Sequence, residues 1–240
     1  MVYRILFNSA YDALEKILLL LAFVITAMFA ISLHEYAHGF AAYKMGDPTA
    51  KIQGRLTLNP ISHFEPIGLI MFLLVGFGFA RPVPINPYNF TKLRKGMLLT
   101  SFAGVIANLI QALIGFGLMI GFGYLFLTQG ATGALHYLLF FLFYLALYGT
   151  LLNAVLIAFN LLPIYPLDGF RVVESLSRTD NAYVRFMRRY GQYILIGIVV
   201  IGFFFERIGF PQGDVFGQYL SAVQQGILDL FYLIMEGVIG

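Results

Sequence analysis

The residues with the clearest capacity for chemistry lie in the short segment HEYAH, which contains His34, Glu35 and His38. Residues four apart in a helix lie on one face, so both imidazoles can reach one zinc ion at about 2.0–2.1 Å. Glu35 lies one residue further along, where a carboxylate can take a proton from a zinc-activated water molecule. The spacing HExxH therefore predicts a hydrolytic metal site with Glu35 as the general base.

A catalytic zinc site usually has three protein ligands, so HEYAH requires a third ligand from elsewhere in the chain. The chain has no cysteine, and four candidates lie at or between the ends of apolar segments: His63, Glu65, His136 and Asp168. Asp168 ends the segment NLLPIYPLDG, in which Pro163 and Pro166 stop a helix and impose an extended backbone. Spacing alone leaves two roles open for Asp168, a metal ligand or the N-cap of a helix that begins at DGFRVVESL.

Hydrophobic helices in a membrane must position these residues. Of the 240 residues, 60% are hydrophobic and only 11% are charged. Apolar runs cover residues 14–43, 66–80, 97–128, 134–162 and 191–205, and an amphipathic segment follows at 219–240. Because a span needs about 20 apolar residues, we expect an all-α polytopic membrane protein, a helical bundle of about five to six transmembrane segments.

The run 66–80 is short for a span and lies between the basic segments KIQGR (51–55) and RPVPINPYNFTKLRK (81–95). This arrangement favours a re-entrant excursion that returns to the same side of the membrane. KIQGRLTLN alternates polar and apolar residues, which is typical of a strand. We therefore expect a short membrane-associated β-hairpin or re-entrant region here. A substrate could add to its edge as a further strand, and a plain amphipathic surface hairpin is the alternative.

The basic residues indicate the orientation of the bundle. They gather at 44–55, 81–95 and 171–189, whereas the connection TQGATG carries no charge. The excess of Lys and Arg marks the cytosolic side, and HEYAH begins ten residues before Lys44, about 15 Å along the helix. The active site is therefore expected toward the cytosolic side. The net charge is only +3, and the basic residues are confined to these short segments between apolar runs. We therefore expect no surface that binds nucleic acid.

HEYAH and NLLPIYPLDG together resemble the two motifs of the site-2 protease family of intramembrane zinc metalloproteases, HExxH and NxxPxxxLDG. The segments GRLTLNPISHFEPIG, ARPVPINPYN and SFAGVIANL resemble the compact prokaryotic branch of that family, although Val105 stands where the family often has proline. The resemblance covers residues 20–175. It implies a prokaryotic cell membrane as the location and a single integral membrane domain, 1–240, with a catalytic core at 17–175. The PDZ and CBS modules of other branches would need about 80 or more further residues and are not expected.

The family resemblance also implies roles for individual residues. It implies one Zn²⁺ per chain, bound by His34, His38 and Asp168, with Glu35 as the general base. Asn108 and Asn160 match positions near the substrate backbone or the transition-state oxygen, where an amide can donate a hydrogen bond. Interhelical hydrogen bonding is the other role open to both asparagines.

The resemblance implies an intramembrane zinc endopeptidase that hydrolyses peptide bonds within or near transmembrane segments of membrane-protein substrates in the lipid bilayer. Two other classes of function compete with it. A transporter or metal channel would use buried His and Asp to bind ions in transit, but the paired repeats common in transporters are not found. A catalytically silent scaffold is not favoured, because the set of His34, Glu35, His38 and Asp168 is intact.

Overall fold

The computed structural model describes residues 8–68, 71, 80–177 and 181–239, and seven α-helices lie wholly within these ranges. They are α1 (Ala13–Lys44), α2 (Thr49–Ile52), α3 (Leu93–Thr128), α4 (Gly133–Asn160), α5 (Asp168–Leu176), α6 (Ala182–Arg207) and α7 (Val215–Ile239). Short 3-10 turns occur at Pro60–His63, Pro87–Asn89 and Pro211–Gly213. The prediction of a helical protein is confirmed for this part of the chain.

Four of these helices are long and apolar enough to cross a membrane: α1, α3, α4 and the portion Ala182–Phe205 of α6. The chain is therefore a membrane protein, but the predicted five to six spans are not confirmed. Ten of the fifteen residues of the run 66–80 fall outside the described residues, so its crossing or re-entrant path stays a prediction. Helix α7 is not among the candidate spans, and its polar residues, among them Gln225, Asp229 and Glu236, are costly to place in a bilayer.

The expected β-hairpin is not confirmed either, because no strand forms in the ranges that the structure describes. Thr49–Ile52 is a helical turn, and residues 55–59 have no regular secondary structure and no ladder partner. The Arg55 side chain instead donates to the carbonyl oxygen of Arg81 at 2.8 Å. Alternating polarity indicates extended backbone, but a ladder also needs a partner with free N–H groups, and Pro82 and Pro84 have none.

Helices α1, α3 and α4 form the centre of the bundle. Near the start of α1, Leu19 and Phe23 pack with Phe140 and Tyr148 of α4 in an apolar cluster. Helix α3 approaches α4 closely at Gly115, where an added Cβ would lie 3.0 Å from the backbone nitrogen of Thr150. Small residues allow such close contacts between membrane helices, where van der Waals packing drives association. The bundle therefore holds α1 and α3 side by side over the length of HEYAH.

A tight turn returns the chain to this bundle after α4. Gly169 packs against the carbonyl oxygens of Leu161 and Leu162, and a Cβ at this position would lie 2.4 and 2.5 Å from them. Only glycine fits such a close approach of two backbone segments. Helix α5 then begins at Asp168 and packs on α3. The glycine of the LDG sequence thus directs the Asp168 carboxylate toward the bundle interior.

Candidate active site

The Asp168 carboxylate lies beside both imidazoles of HEYAH. Its Oδ2 is 3.4 Å from His34 Nε2 and 3.1 Å from His38 Nε2. The two Nε2 atoms are 2.9 Å apart. All three side chains are buried. The structure thus brings together two residues of α1 and the first residue of α5, which are far apart in the sequence, and these three form the only cluster of potential metal ligands in the described ranges.

The other ring nitrogen of each histidine determines its orientation. His38 Nδ1 lies 2.7 Å from the carbonyl oxygen of Thr100, which can only accept, so Nδ1 carries the proton. His34 Nδ1 lies 3.1 Å from Asn108 Oδ1 and donates to it in the same way. A neutral imidazole protonated at Nδ1 has a lone pair on Nε2. Both lone pairs therefore point toward the Asp168 carboxylate, as in sites where supporting contacts orient metal ligands.

These three side chains fit a zinc ion. Two nitrogen lone pairs and a carboxylate oxygen at such short separations repel one another unless a cation lies between them. Ligand atoms about 2.0–2.1 Å from a tetrahedral zinc ion lie about 3.3 Å apart, close to the observed 2.9, 3.1 and 3.4 Å. Asp168 Oδ2 is also buried without a hydrogen-bond partner, a condition that a metal ion relieves. Two imidazoles and a carboxylate are a donor set that suits zinc.

Glu35 lies beside this cluster, and a backbone group holds its carboxylate. The N–H of Val83 donates to Glu35 Oε2 at 2.8 Å. Sequence reasoning included the proline-rich segment ARPVPINPYN in the family resemblance but did not identify Val83. A backbone donor has no side-chain signature, so only the flanking prolines of the PVP sequence were available as a signal.

Gly104 allows α3 to lie against the two histidines. A Cβ on Gly104 would lie 2.4 Å from His38 Nε2 and 2.5 Å from His34 Cε1. In the sequence, this glycine appears only within the segment SFAGVIANL, to which no packing role was assigned, and the Thr100 carbonyl was not identified. A signal was present, because small and polar residues recur every four positions along this face of α3: Gly96, Thr100, Gly104 and Asn108.

The two asparagines predicted near the substrate occupy different positions. Asn108 is fully buried beside His34, and its Nδ2 has no hydrogen-bond partner. Asn160 lies at the end of α4, and its Nδ2 donates to the carbonyl oxygen of Leu156 in the same helix at 3.0 Å. Of the pair, the structure brings Asn108 into hydrogen-bond contact with a candidate metal ligand. The substrate role of each stays a prediction.

The other candidates for the third ligand lie outside the cluster. His63 is buried at the end of the 3-10 turn Pro60–His63, where its Nε2 contacts the carbonyl oxygen of Thr57 at 2.8 Å. His136 belongs to the start of α4. Its Nε2 is 3.0 Å from Oε1 of Glu15, which lies at the end of α1 opposite to HEYAH. Glu65 follows His63 in the same loop. None of the three belongs to the ligand cluster found among the described residues.

Comparison with known proteins identifies relatives that share this chemistry. The chain is 40% identical over 218 residues to the Bacillus subtilis (strain 168) protein named "Putative zinc metalloprotease YwhC", and the match covers 89% of this chain and 92% of that protein. A Mycolicibacterium smegmatis protein named "Putative zinc metalloprotease Rip2" is 31% identical over 153 residues, which are 61% of this chain and 54% of that protein. Its Mycobacterium tuberculosis (H37Rv) namesake is 29% identical over 182 residues, 72% of this chain and 62% of that protein. No family model and no solved structure matches the chain.

The likeness to YwhC extends over most of both chains, so it concerns the whole protein and not an isolated motif. The relatives named above are zinc metalloproteases by name, and the buried cluster of two histidines and an aspartate suits that metal. The enzyme is accordingly a zinc metalloprotease with Zn²⁺ as its cofactor, and the chain belongs to the site-2 protease family.

Proposed function

We propose that this protein is an intramembrane endopeptidase that hydrolyses peptide bonds within or near transmembrane segments of other membrane proteins. One observation carries the proposal. The His34 and His38 side chains, which meet Asp168, belong to a helix that is apolar enough to cross a membrane, and His34 precedes its Lys44 end by ten residues, about 15 Å. A site at that depth is reached most directly by a substrate that is itself in the bilayer.

The metal ligands in this proposal are His34 Nε2, His38 Nε2 and Asp168 Oδ2. When bound, zinc supplies Lewis-acid chemistry, lowering the pKa of water and polarising a carbonyl oxygen. The Nδ1–H groups of both histidines stay bonded to Asn108 Oδ1 and the Thr100 carbonyl, which keeps both Nε2 atoms directed at the metal position.

Glu35 carries the proton in the proposed mechanism. Its carboxylate accepts a proton as the water oxygen attacks the scissile carbonyl, and it then delivers that proton to the leaving amine nitrogen. The Val83 N–H holds Oε2, so Oε1 is the oxygen that takes the proton. The Asn108 Nδ2 group, buried without a partner, is a donor for the negative charge that develops on the carbonyl oxygen.

The substrate must be unwound locally, because the carbonyl groups of a transmembrane helix are occupied by internal hydrogen bonds. Asn160 is a candidate for contact with the substrate backbone from the end of α4, through its Oδ1, since its Nδ2 is engaged by Leu156. The active site faces the cytosol in this proposal, because Lys44 at the end of α1 and the basic residues at the start of α3 lie at its end of the bundle.

Zinc content and cleavage of a transmembrane reporter, measured together in detergent, test the proposal. We expect the wild type to hold about one zinc ion per chain and to cut the reporter. Glu35→Gln should keep zinc without cutting, and Asp168→Ala should lose zinc. Glu15→Gln is the matched control, because it makes the same change at the opposite end of α1 and should keep both zinc and activity.

The outcomes separate the parts of the proposal. Cleavage by Glu35→Gln would contradict the role of Glu35 as the base. A wild type that binds zinc and cuts soluble peptides but leaves transmembrane reporters intact would contradict the intramembrane substrate class.

A further inference from the structure

Residues 81–83 lie against the face of α1 that carries Glu35. The Val83 N–H donates to Glu35 Oε2 at 2.8 Å. The Val83 side chain is only 5% exposed and packs over Gly39, where an added Cβ would lie 2.9 Å from Val83 Cγ1. Glu35 and Gly39 are four residues apart and therefore lie on the same helix face. Val83 is thus attached to α1 twice, by its backbone at Glu35 and by its side chain at Gly39.

A second loop also holds this segment. Arg55 Nη2 donates to the carbonyl oxygens of Arg81 at 2.8 Å and Pro82 at 3.4 Å. The Arg81 N–H donates to the carbonyl oxygen of His63 at 2.9 Å. The His63 ring is fully buried and bonds through Nε2 to the carbonyl oxygen of Thr57 at 2.8 Å. The loop at 55–63 therefore holds residues 81 and 82 through the Arg55 side chain and the His63 carbonyl group, and the buried His63 ring fixes the loop itself.

The prolines on either side of Val83 make it a pre-set donor. Pro82 and Pro84 have no N–H group, so Val83 provides the only backbone donor between residues 82 and 84. A residue that precedes proline is also restricted to extended backbone. The backbone around Val83 is therefore restricted, and the Val83 N–H keeps its orientation toward Glu35.

We propose that residues 81–83 form a backbone clamp that orients Glu35, and that Arg55 and His63 are positioning residues that act through this clamp. The inference rests on the proposed role of Glu35 as the proton acceptor. A charge-assisted hydrogen bond to Oε2 fixes the carboxylate and directs Oε1 toward the reacting water. A base held in place in this way needs no reorganisation during the reaction, which is how oriented groups raise kcat.

The pair Val83→Pro and Val83→Ala tests the clamp. Val83→Pro removes the N–H in a segment whose backbone Pro84 already restricts, whereas Val83→Ala keeps the N–H and shortens the side chain. We expect Val83→Pro to lower kcat about 10- to 150-fold, because a hydrogen bond to a charged group contributes about 1.5–3 kcal/mol. Its KM and zinc content should match the wild type. Val83→Ala should keep kcat within about threefold, because the hydrogen bond is retained.

Variants of Arg55 test the positioning role with a measurement that does not depend on catalysis. Arg55→Ala should lower kcat and speed hydrogen exchange at the Val83 amide, because the clamp loses its hold on two carbonyl groups. Arg55→Lys should restore part of both properties, since the ammonium group can still donate to one carbonyl oxygen. Amide exchange in the Glu35→Ala variant should be faster in the same peptide, because the acceptor is gone.

Several results would overturn the clamp. A cleaving wild type with an equally active Val83→Pro variant would do so directly. Loss of zinc in Val83→Pro would mean that residues 81–83 support the metal ligands and not Glu35. A raised KM with unchanged kcat would mean that they contribute to substrate binding. If the wild type does not cut the transmembrane reporter, the proposed function fails, and amide exchange in the Glu35 and Arg55 variants still decides whether the clamp exists.

Discussion

Gly104→Ala tests the geometry of the metal centre most directly. The added Cβ would lie 2.4 Å from His38 Nε2, 2.5 Å from His34 Cε1 and 2.7 Å from His34 Nδ1. Non-bonded heavy atoms prefer separations of about 3.5–4.0 Å, so either α3 or the imidazoles must move by about 1 Å. Overpacking of this kind costs about 1–3 kcal/mol. If that cost falls on the metal-bound arrangement, zinc binds about 5- to 150-fold more weakly.

Two glycines of the same helix provide matched controls. Added Cβ atoms at Gly117 and Gly121 would meet nothing within 4 Å. Both positions are exposed on the outer face of α3. Alanine there should leave zinc binding unchanged and favour the helix by about 0.5–1 kcal/mol. The comparison therefore separates the contact with the histidines from any general effect of changing glycine in α3.

The assay is the zinc content of each purified variant, followed by competition with a chelator to obtain relative affinities. Thermal unfolding of the same samples shows whether the bundle itself has been weakened. Gly104→Ala should lose zinc to the chelator at a lower concentration than Gly117→Ala. Equal zinc affinities for these two variants would refute the close approach of α3 to His34 and His38.

Three further predictions concern the surroundings of the site and the metal. Asn108→Ala removes the acceptor of the His34 Nδ1–H, so competition with a chelator should show a zinc affinity lowered about 10- to 100-fold. An unchanged affinity would contradict the role of Asn108 in orienting His34. Asp47→Ala should lower the free energy of unfolding by about 1–3 kcal/mol, because the Asn86 N–H and the Asn89 amide lose their acceptor. Burial opposes ionisation of Asp47, but its hydrogen bonds prevail and lower the carboxyl pKa below 3.8, so this contribution is present above that pH and is lost as the pH falls through the folded-state pKa. Thermal unfolding against pH should show this acid-side loss in the wild type and not in Asp47→Ala. Removal of zinc by a chelator should abolish cleavage and added zinc should restore it, whereas cleavage that survives complete removal would contradict a metal-dependent mechanism.

Local patterns in the sequence were enough to predict the helices and the pairing of the two histidines. Apolar runs predicted α1, α3 and α4, because a bilayer requires long hydrophobic segments. The spacing of His34 and His38 determines that they share a helix face, since four residues make about one turn. The alternation in KIQGRLTLN led to a wrong expectation at residues 51 and 52, because hydrophobic periodicity says nothing about whether a partner strand exists.

By itself, the sequence determined that the chain lies in a membrane, that His34 and His38 can bind one ion, and that Asp168 is available as either a ligand or a cap. The tertiary structure decided that Asp168 reaches these histidines, that Thr100 and Asn108 hold their outer ring nitrogens, and that Val83 holds Glu35. Two of these partners, the Thr100 carbonyl and the Val83 N–H, are backbone groups: every residue type has the carbonyl, and every residue type except proline has the N–H. Their selection depends on how closely the helices and loops approach one another, and that distance is a property of the packed bundle.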